Sequence, residues 1–140
     1  LEKQFQHTFE KAAKVRNMPT GEALLMLLEM RLDNVCYRLG FGNSRPQARQ
    51  IVTHGHITVN GKRVDIASYE VKVGDVIGVH EGSRSMEVFK VARENTARTT
   101  PKWLELNADA LEGKVIQKPA REDIDLTLSE HLVVEYYSKR

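Results

Sequence analysis

The sequence predicts an α+β protein with two lobes: a helical lobe formed by N- and C-terminal helices, and a second lobe in which two short helices pack on a small antiparallel sheet. Three observations predict this arrangement. Apolar residues recur at helical spacing before His54, the period changes to two after Gly55, and helical spacing returns near the C-terminus. We expect the helical lobe at residues 1–30 and 114–140, and the second lobe at residues 31–113.

The N-terminal part of the chain predicts three helices. The first covers residues 1–15 and carries its aromatic residues on one side. The second begins near Thr20, a good capping residue, and is apolar nearly all round, which indicates burial on several sides. The third has apolar residues at i, i+3, i+4 and i+7 over residues 32–39 and ends at Gly40.

A fourth helix is expected at residues 45–53, after a tight turn. Ser44 and Gln47 have the spacing of a capping box, which predicts where this helix begins. Arg45 and Arg49 fall about 40° apart around its axis, along one edge of its apolar stripe. Two short helices joined in this way are typical of a helix-turn-helix, but they also occur in proteins that bind nothing charged.

A β-hairpin is predicted directly after these helices. Alternating residues flank Asn60-Gly61, the dipeptide that most favours a two-residue hairpin turn because both positions must accept positive φ. The further expected elements are strands at 71–73 and 76–79, a weakly periodic helix at 86–96, an extended or packed segment at 103–106, a strand at 114–117 and a last helix capped by Ser129.

Length and composition limit the class of protein. The chain has 140 residues, of which 41% are hydrophobic and 29% charged, as in ordinary globular proteins. No apolar run approaches the roughly 18 residues of a membrane-spanning helix, so no membrane partner is expected. Cys36 is the only cysteine, which excludes an intramolecular disulfide and fits a reducing, cytoplasmic location. Because no initiator Met begins the chain, we expect a piece of a longer protein.

Charge is distributed unevenly along the chain. Residues 34–64 hold five basic side chains and no Asp or Glu, whereas the rest of the chain holds 16 basic and 19 acidic side chains. The segment therefore carries +5 and the remainder −3. Because a surface that serves only solubility mixes both signs, the segment suggests a polyanionic partner. A solvated face that happens to be basic is the alternative.

Three consecutive pieces between Arg31 and Val64 resemble a known RNA-binding domain, the one named after the fourth protein of the small ribosomal subunit. They are Arg31-Leu32-Asp33-Asn34-Val35 leading to Arg38-Leu39-Gly40, then Ser44-Arg45-Pro46-Gln47-Ala48-Arg49-Gln50, and then Gly55-His56-Ile57-Thr58-Val59-Asn60-Gly61-Lys62-Arg63-Val64. The flanks at residues 1–5, 101–106 and 121–124 resemble bacterial members of that protein's family. The resemblance thus covers essentially the whole chain.

The resemblance implies a structural protein of the small ribosomal subunit, with no enzymatic activity and no cofactor. It implies binding to 16S ribosomal RNA (rRNA) at a multi-helix junction early in assembly, beside neighbouring small-subunit ribosomal proteins. It also implies an N-terminal segment before the region seen here, sometimes with zinc-binding cysteines. Regulatory binding to its own messenger RNA is a further property of the family that these residues cannot indicate.

The charge pattern and the resemblance together assign RNA binding to polar residues of the helix pair and the hairpin. Phosphate contacts are expected first from Arg45 and Arg49, and few aromatic residues lie among the basic ones, which argues against a stacking platform for single strands. The predicted RNA-binding residues are Arg31, Asn34, Arg38, Ser44, Arg45, Gln47, Arg49, His54, His56, Asn60, Lys62 and Arg63.

Some polar residues have plainer interpretations. Asp33 is expected to pair within the chain, with Arg31, Arg38 or a backbone group. His54 and His56 lack a third ligand, so a metal site is not expected there. The acidic cluster at residues 122–125 has no nucleophilic or basic partner and is better explained by a solvated loop or a protein contact than by catalysis.

Two other functions stay open from the sequence. The same domain resembles those attached to pseudouridine synthases and some tRNA synthetases, so the chain could be the RNA-recognition fragment of an RNA-modifying enzyme or a tRNA synthetase. Residues 65–140, however, supply no obvious active site. A helix-turn-helix DNA regulator is the other possibility, and it should prefer duplex DNA, usually with paired half-sites.

Overall fold

The computed structural model describes residues 10–11, 20–94 and 100–120. The helices predicted at residues 1–15 and after Ser129 lie outside this part of the chain, apart from two helical residues at 10–11. Within the described residues, no helix has the length and apolar character needed to cross a membrane.

The chain divides into two compact units, Leu1–Glu29 with Pro119–Arg140 and Met30–Lys118. In the first unit the described residues include one helix of ten residues, α1 (Thr20–Glu29). Its residues 23–27 are all buried, on every side of the helix, as an almost uniformly apolar sequence predicts. The predicted helix beginning near Thr20 is confirmed.

The second unit begins with α2 (Leu32–Leu39), which buries the predicted stripe of Leu32, Val35, Cys36 and Leu39. The helix ends at Gly40, whose φ of 86° is a left-handed conformation that glycine adopts without steric cost. Burial and the nearby Asp33 carboxylate raise the pKa of the Cys36 thiol far above its ordinary value, so Cys36 is an inert core residue.

A loop closes the start of α2 in place of a capping side chain. The N–H of Leu32 donates to the carbonyl of Tyr69 at 2.7 Å, and that of Asp33 to the carbonyl of Ala67 at 3.2 Å. Buried Val71 follows, and its N–H donates to the carbonyl of Met30 at 3.0 Å. The prediction of a strand at 71–73 is wrong: Val71 bonds to Met30, which lies between α1 and α2, and Lys72 forms a turn with Asp75 instead of extending the sheet.

A tight turn leads from α2 to α3 (Arg45–Thr53), which has the predicted bounds. Ser44 caps the helix: its Oγ accepts the N–H of Gln47 at 3.2 Å, while the Gln47 side chain accepts the N–H of Asn43. In the same turn a Cβ atom on Gly42 would lie only 2.8 Å from the backbone nitrogen of Ala48. The turn therefore lies against the backbone of α3.

A five-stranded antiparallel sheet follows, with the strand order β2-β1-β3-β5-β4. Its strands are β1 (Ile57–Val59), β2 (Lys62–Arg63), β3 (Val76–Val79), β4 (Leu104–Asn107) and β5 (Glu112–Val115). The predicted hairpin is confirmed, with Asn60 and Gly61 at φ 53° and 84°. These helices and this sheet confirm the α+β class.

The C-terminal strands differ in detail from the prediction. The segment predicted as extended or packed becomes β4, an edge strand paired with β5. β5 begins two residues earlier than the strand predicted at 114–117, so the expected lobe boundary at residue 113 falls inside it. Between β3 and β4 stand a 3-10 turn, Glu81–Ser83, and α4 (Glu87–Glu94), within the helix predicted at 86–96.

Replacing Gly42 by Ala should lower the free energy of unfolding by roughly 1–3 kcal/mol, because the added methyl group would collide with the rigid backbone of α3. Chemical denaturation followed by circular dichroism measures the change. Asn43→Ala at the neighbouring, exposed position is the control and should change stability little. Equal stability of both variants would contradict the close approach.

Candidate nucleic-acid interface

Arg31 and Asp33, at the start of α2, form a two-point ion pair. The Arg31 guanidinium donates from Nε to Asp33 Oδ1 at 3.2 Å and from Nη2 to Oδ2 at 3.1 Å. Oδ1 also accepts the N–H of Asn34 at 2.8 Å. The expectation that Asp33 pairs within the chain is confirmed, and such a planar, two-point contact fixes the orientation of the guanidinium group.

Arg49 reaches the same carboxylate from the neighbouring helix. Its Nη1 lies 3.7 Å from Asp33 Oδ2. The Arg49 side chain is 45% exposed, whereas that of Asp33 is 16% exposed. The carboxylate thus lies between two guanidinium groups, and the three side chains together keep a net charge of +1.

Arg45 packs against α2. Its guanidinium carbon lies 4.6 Å from the centre of the Tyr37 ring, within the range of a cation–π contact. Its Nε donates to Oδ1 of Asn34, a buried side chain, at 3.3 Å. Its Nη2 is buried without a hydrogen-bond partner. Arg45 therefore joins the two helices, and much of its guanidinium group faces protein.

Three other predicted residues lie around this cluster. Arg38 is half-buried, with its guanidinium carbon 6.0 Å from the Tyr37 ring centre. Ser44 and Gln47 make the capping contacts of α3. The polar groups of Ser44 and Gln47 already have partners within the chain, so these two side chains mainly stabilise the start of α3.

The hairpin carries a second cationic group, formed by Lys62 and Arg63, and both side chains are exposed. The Arg63 Nε donates to the carbonyl of Gly55 at 3.1 Å. Gly55 has φ 82°, and a Cβ atom there would lie 2.6 Å from Arg63 Nη2, so this position requires glycine for two reasons. Arg63 is thus held at the C-terminal end of α3, whereas Arg45 lies at the N-terminal end of that helix.

Asn60 stabilises the hairpin turn through its side chain. Its amide group donates to Asp75 Oδ1 at 3.0 Å and its Oδ1 accepts the N–H of Val76 at 2.9 Å. Both contacts tie the turn to β3. The interpretation of Asn60 as a turn residue agrees with these contacts.

His56 lies close to His54 and to the 3-10 turn. Its Nδ1 is 2.7 Å from Ser83 Oγ, and its ring centre is 6.4 Å from that of His54. Burial lowers the pKa of His56, and the nearby His54, Arg63 and His80 lower it further. In the described part of the chain, no group of three or more His, Cys, Asp or Glu side chains could hold a metal ion.

Sequence reasoning missed three contacts: those of Asp33 with Arg49, of Tyr37 with Arg45, and of His56 with Ser83. The first two had a signal. Asp33 and Tyr37 are four residues apart on α2, and Arg45 and Arg49 are four apart on α3, so each pair lies on one face of its helix. Because a tight turn joins the helices, the residues nearer the turn meet each other, Tyr37 with Arg45, and the residues farther from it meet each other, Asp33 with Arg49. The contact with Ser83 had no such signal, because it joins residues 27 apart.

Comparison with known proteins shows which family the chain belongs to. The S4 domain model matches residues 30–77, which include both helices and the hairpin. The small ribosomal subunit protein uS4 of Thermoanaerobacter sp. (strain X514) is 60% identical over 139 residues, which are 99% of this chain and 66% of that protein. The chain belongs to the uS4 family.

Other uS4 proteins agree. The uS4 protein of Clostridium beijerinckii and the uS4A protein of Clostridium perfringens (strain SM101 / Type A) are also 60% identical, with 99% of this chain and 66% of each relative covered. The chain spans 66% of the length of these curated uS4 relatives. The predicted family is confirmed.

Replacing Arg45 by Ala in this uS4 chain should lower the free energy of unfolding by about 1–2 kcal/mol, because the cation–π contact and the hydrogen bond to Asn34 are both lost. Arg49→Ala, the same change one helical turn later, is the control. It should cost less than about 0.5 kcal/mol, because Arg49 is 45% exposed and its ion pair with Asp33 is long, at 3.7 Å. A larger loss for Arg49→Ala would contradict this assignment.

Stability of this uS4 chain should fall as the pH is lowered below about 6.5, the ordinary pKa of histidine. Folding lowers the pKa of His56, so the unfolded chain binds a proton that the folded chain resists, and acid favours unfolding. Thermal unfolding between pH 7.5 and 5 measures the effect. His56→Gln should flatten the pH dependence, and an unchanged profile would remove His56 as its source.

Proposed function

We propose that this chain is a structural RNA-binding protein of the small ribosomal subunit that binds 16S rRNA. The observation that carries the proposal is the cationic surface of the domain matched at residues 30–77: Arg49, Lys62 and Arg63 are exposed there. Residues 34–64 contribute no carboxylate to this surface, and the neighbouring Asp33 is already bound by arginines. Such a surface attracts a polyanion, and the names of the relatives indicate which one.

The surface favours folded RNA over an unstructured strand. Single strands are bound mainly by stacking bases on exposed aromatic rings. On the helix pair, Phe41 is buried and the Tyr37 ring is covered by Arg45. The exposed groups are cations, which suit the phosphates and 2′-hydroxyl groups that double-stranded RNA presents. We therefore propose that the chain binds mainly to the RNA backbone at a multi-helix junction, and that recognition of base sequence contributes less.

The proposal includes a setting for the protein. We infer that it acts in the cytoplasm as part of the ribosome, that it helps nucleate assembly of the small subunit, and that neighbouring small-subunit ribosomal proteins contact it. The uS4 names of the relatives support this setting, although the chain spans only part of their length. Binding to its own messenger RNA stays a prediction from the family resemblance alone.

The alternative functions have less support. The relatives that match 99% of this chain carry ribosomal names, and none of the three named above is called an RNA-modifying enzyme or a tRNA synthetase. This agrees with the prediction of no enzymatic activity. A helix-turn-helix regulator would place the start of its second helix in a DNA groove, but here Arg45 at that start packs on Tyr37.

Footprinting of 16S rRNA with this chain tests the proposal directly. Protection should be confined to a helical junction and should survive competition by a duplex DNA of equal length. Protection lost equally to duplex DNA, or spread evenly over the RNA, would contradict a specific function in ribosomal RNA binding.

Replacing Arg49 by Ala should weaken binding to that RNA by roughly tenfold and reduce the slope of log affinity against log salt by about one unit, the effect of one lost phosphate contact. Filter binding at several salt concentrations measures both. Lys114→Ala is the matched control, because Lys114 is an exposed cation on β5, two strands from the hairpin strand β1. Equal losses for both variants would indicate that only net charge matters.

A further inference from the structure

A carboxylate lies inside the proposed RNA-binding surface. Asp33 precedes the acid-free segment by one residue and contacts Arg31 at 3.1 Å and Arg49 at 3.7 Å. Its negative charge repels phosphate groups, so on charge alone the surface would bind RNA more tightly without it. Attraction to RNA therefore does not explain this side chain.

Stability explains it only in part. The ion pair with Arg49 contributes little, because the Arg49 side chain is 45% exposed. The pair with Arg31 is more buried, with side chains 19% and 16% exposed, so stability accounts for that contact better than for the one with Arg49. The Asp33 Oδ1 atom accepts the N–H of Asn34, but the amide oxygen of an asparagine accepts such a bond equally well at a helix start. The backbone bond and the exposed contact with Arg49 therefore leave part of the role of this charge unexplained.

The contacts point instead to orientation. Nε and Nη2 of Arg31 are both held by the carboxylate, which fixes the plane of that guanidinium group relative to α2. The same carboxylate attracts the Arg49 guanidinium on α3, whose Nη1 lies 3.7 Å away. A long side chain that is already ordered loses less conformational entropy when it binds, so restrained guanidinium groups favour a ligand whose phosphates match their spacing.

We propose that Asp33 is a positioning residue of the RNA-binding surface: it holds the guanidinium groups of Arg31 and Arg49 in the arrangement that fits the backbone of folded RNA. This inference rests on the proposed function. A second consequence is selectivity. The carboxylate lowers the local positive charge, and so it weakens binding to other polyanions, which depends on charge alone.

Asp33→Asn tests the proposal, because charge and orientation predict opposite results. The variant loses one negative charge, so charge alone predicts tighter binding to every RNA. Lost orientation predicts binding to the 16S junction RNA that is weaker by roughly fivefold, the size of effect seen between coupled charged neighbours. Binding to an unstructured RNA of equal length should become roughly twofold tighter. Asp65→Asn, an exposed residue just after the hairpin, gives the same charge change as a control.

A double-mutant cycle separates positioning from a general structural effect. In an Arg49→Gln background, Asp33→Asn should weaken junction binding less than it does in the wild type, because one of the groups it orients is gone. Thermal unfolding confirms that each variant is folded. If Asp33→Asn does not fold, Asp33→Glu replaces it: the charge is unchanged, so charge alone predicts unchanged affinity, whereas a displaced carboxylate predicts a loss.

The outcomes distinguish this inference from the function on which it rests. If the wild-type chain does not prefer the junction RNA to unstructured RNA, the proposed function itself fails. If the wild type prefers the junction and Asp33→Asn binds it as tightly as Asp65→Asn does, the positioning role of Asp33 is overturned and the proposed function stands. Additive losses in the double-mutant cycle, or unchanged affinity of Asp33→Glu, would also overturn it.

Discussion

The backbone contact between the turn at Gly42 and Ala48 of α3 is the constraint on which the candidate interface depends. It sets how closely the start of α3 approaches the end of α2, and Phe41 beside it is buried edge-on to Phe89. At this separation Arg45 lies over the Tyr37 ring. One helical turn later, Arg49 reaches the carboxylate of Asp33 on α2. A wider separation would remove both contacts and leave two long, disordered cations in solvent.

The cations of this surface therefore contribute in different ways. Lys62 is exposed with a flexible side chain, and it acts mainly through Coulomb attraction, which salt screens over about 10 Å at 0.1 M. Arg31 and Arg63 are each held through Nε by an acceptor in the chain, so their guanidinium planes are defined before a ligand arrives. Flexible charge raises the rate of encounter, while restrained guanidinium groups can discriminate between shapes.

Local chemistry explains which parts of this structure the sequence predicts. The start of α3 follows from the Ser44 side chain, which satisfies a backbone group three residues on, and the hairpin follows from two turn residues that accept positive φ, so both can be read from the sequence. The loop containing Val71 could not be predicted, because its apolar residues alternate as in a strand. Its backbone instead closes the start of α2. Side-chain partners were harder still: Arg45 has the pattern of an exposed cation, and only the fold reveals the ring that it covers.

The strand order of the sheet determines which charged residues lie at each of its two edges. Its order places β2, with Lys62 and Arg63, at one edge and β4 at the other, next to β5. The exposed carboxylates Glu105 and Glu112 lie on these far strands, and Lys114 on β5 faces Glu105 in register and offsets only part of their charge. The hairpin edge thus carries two exposed cations on its edge strand, with exposed Asp65 just after it and Asp75 bonded to its turn, whereas the opposite strands carry two exposed carboxylates and one cation. A net charge of only +2 is then compatible with RNA binding, because the arrangement of charges, more than their sum, sets which edge approaches the RNA.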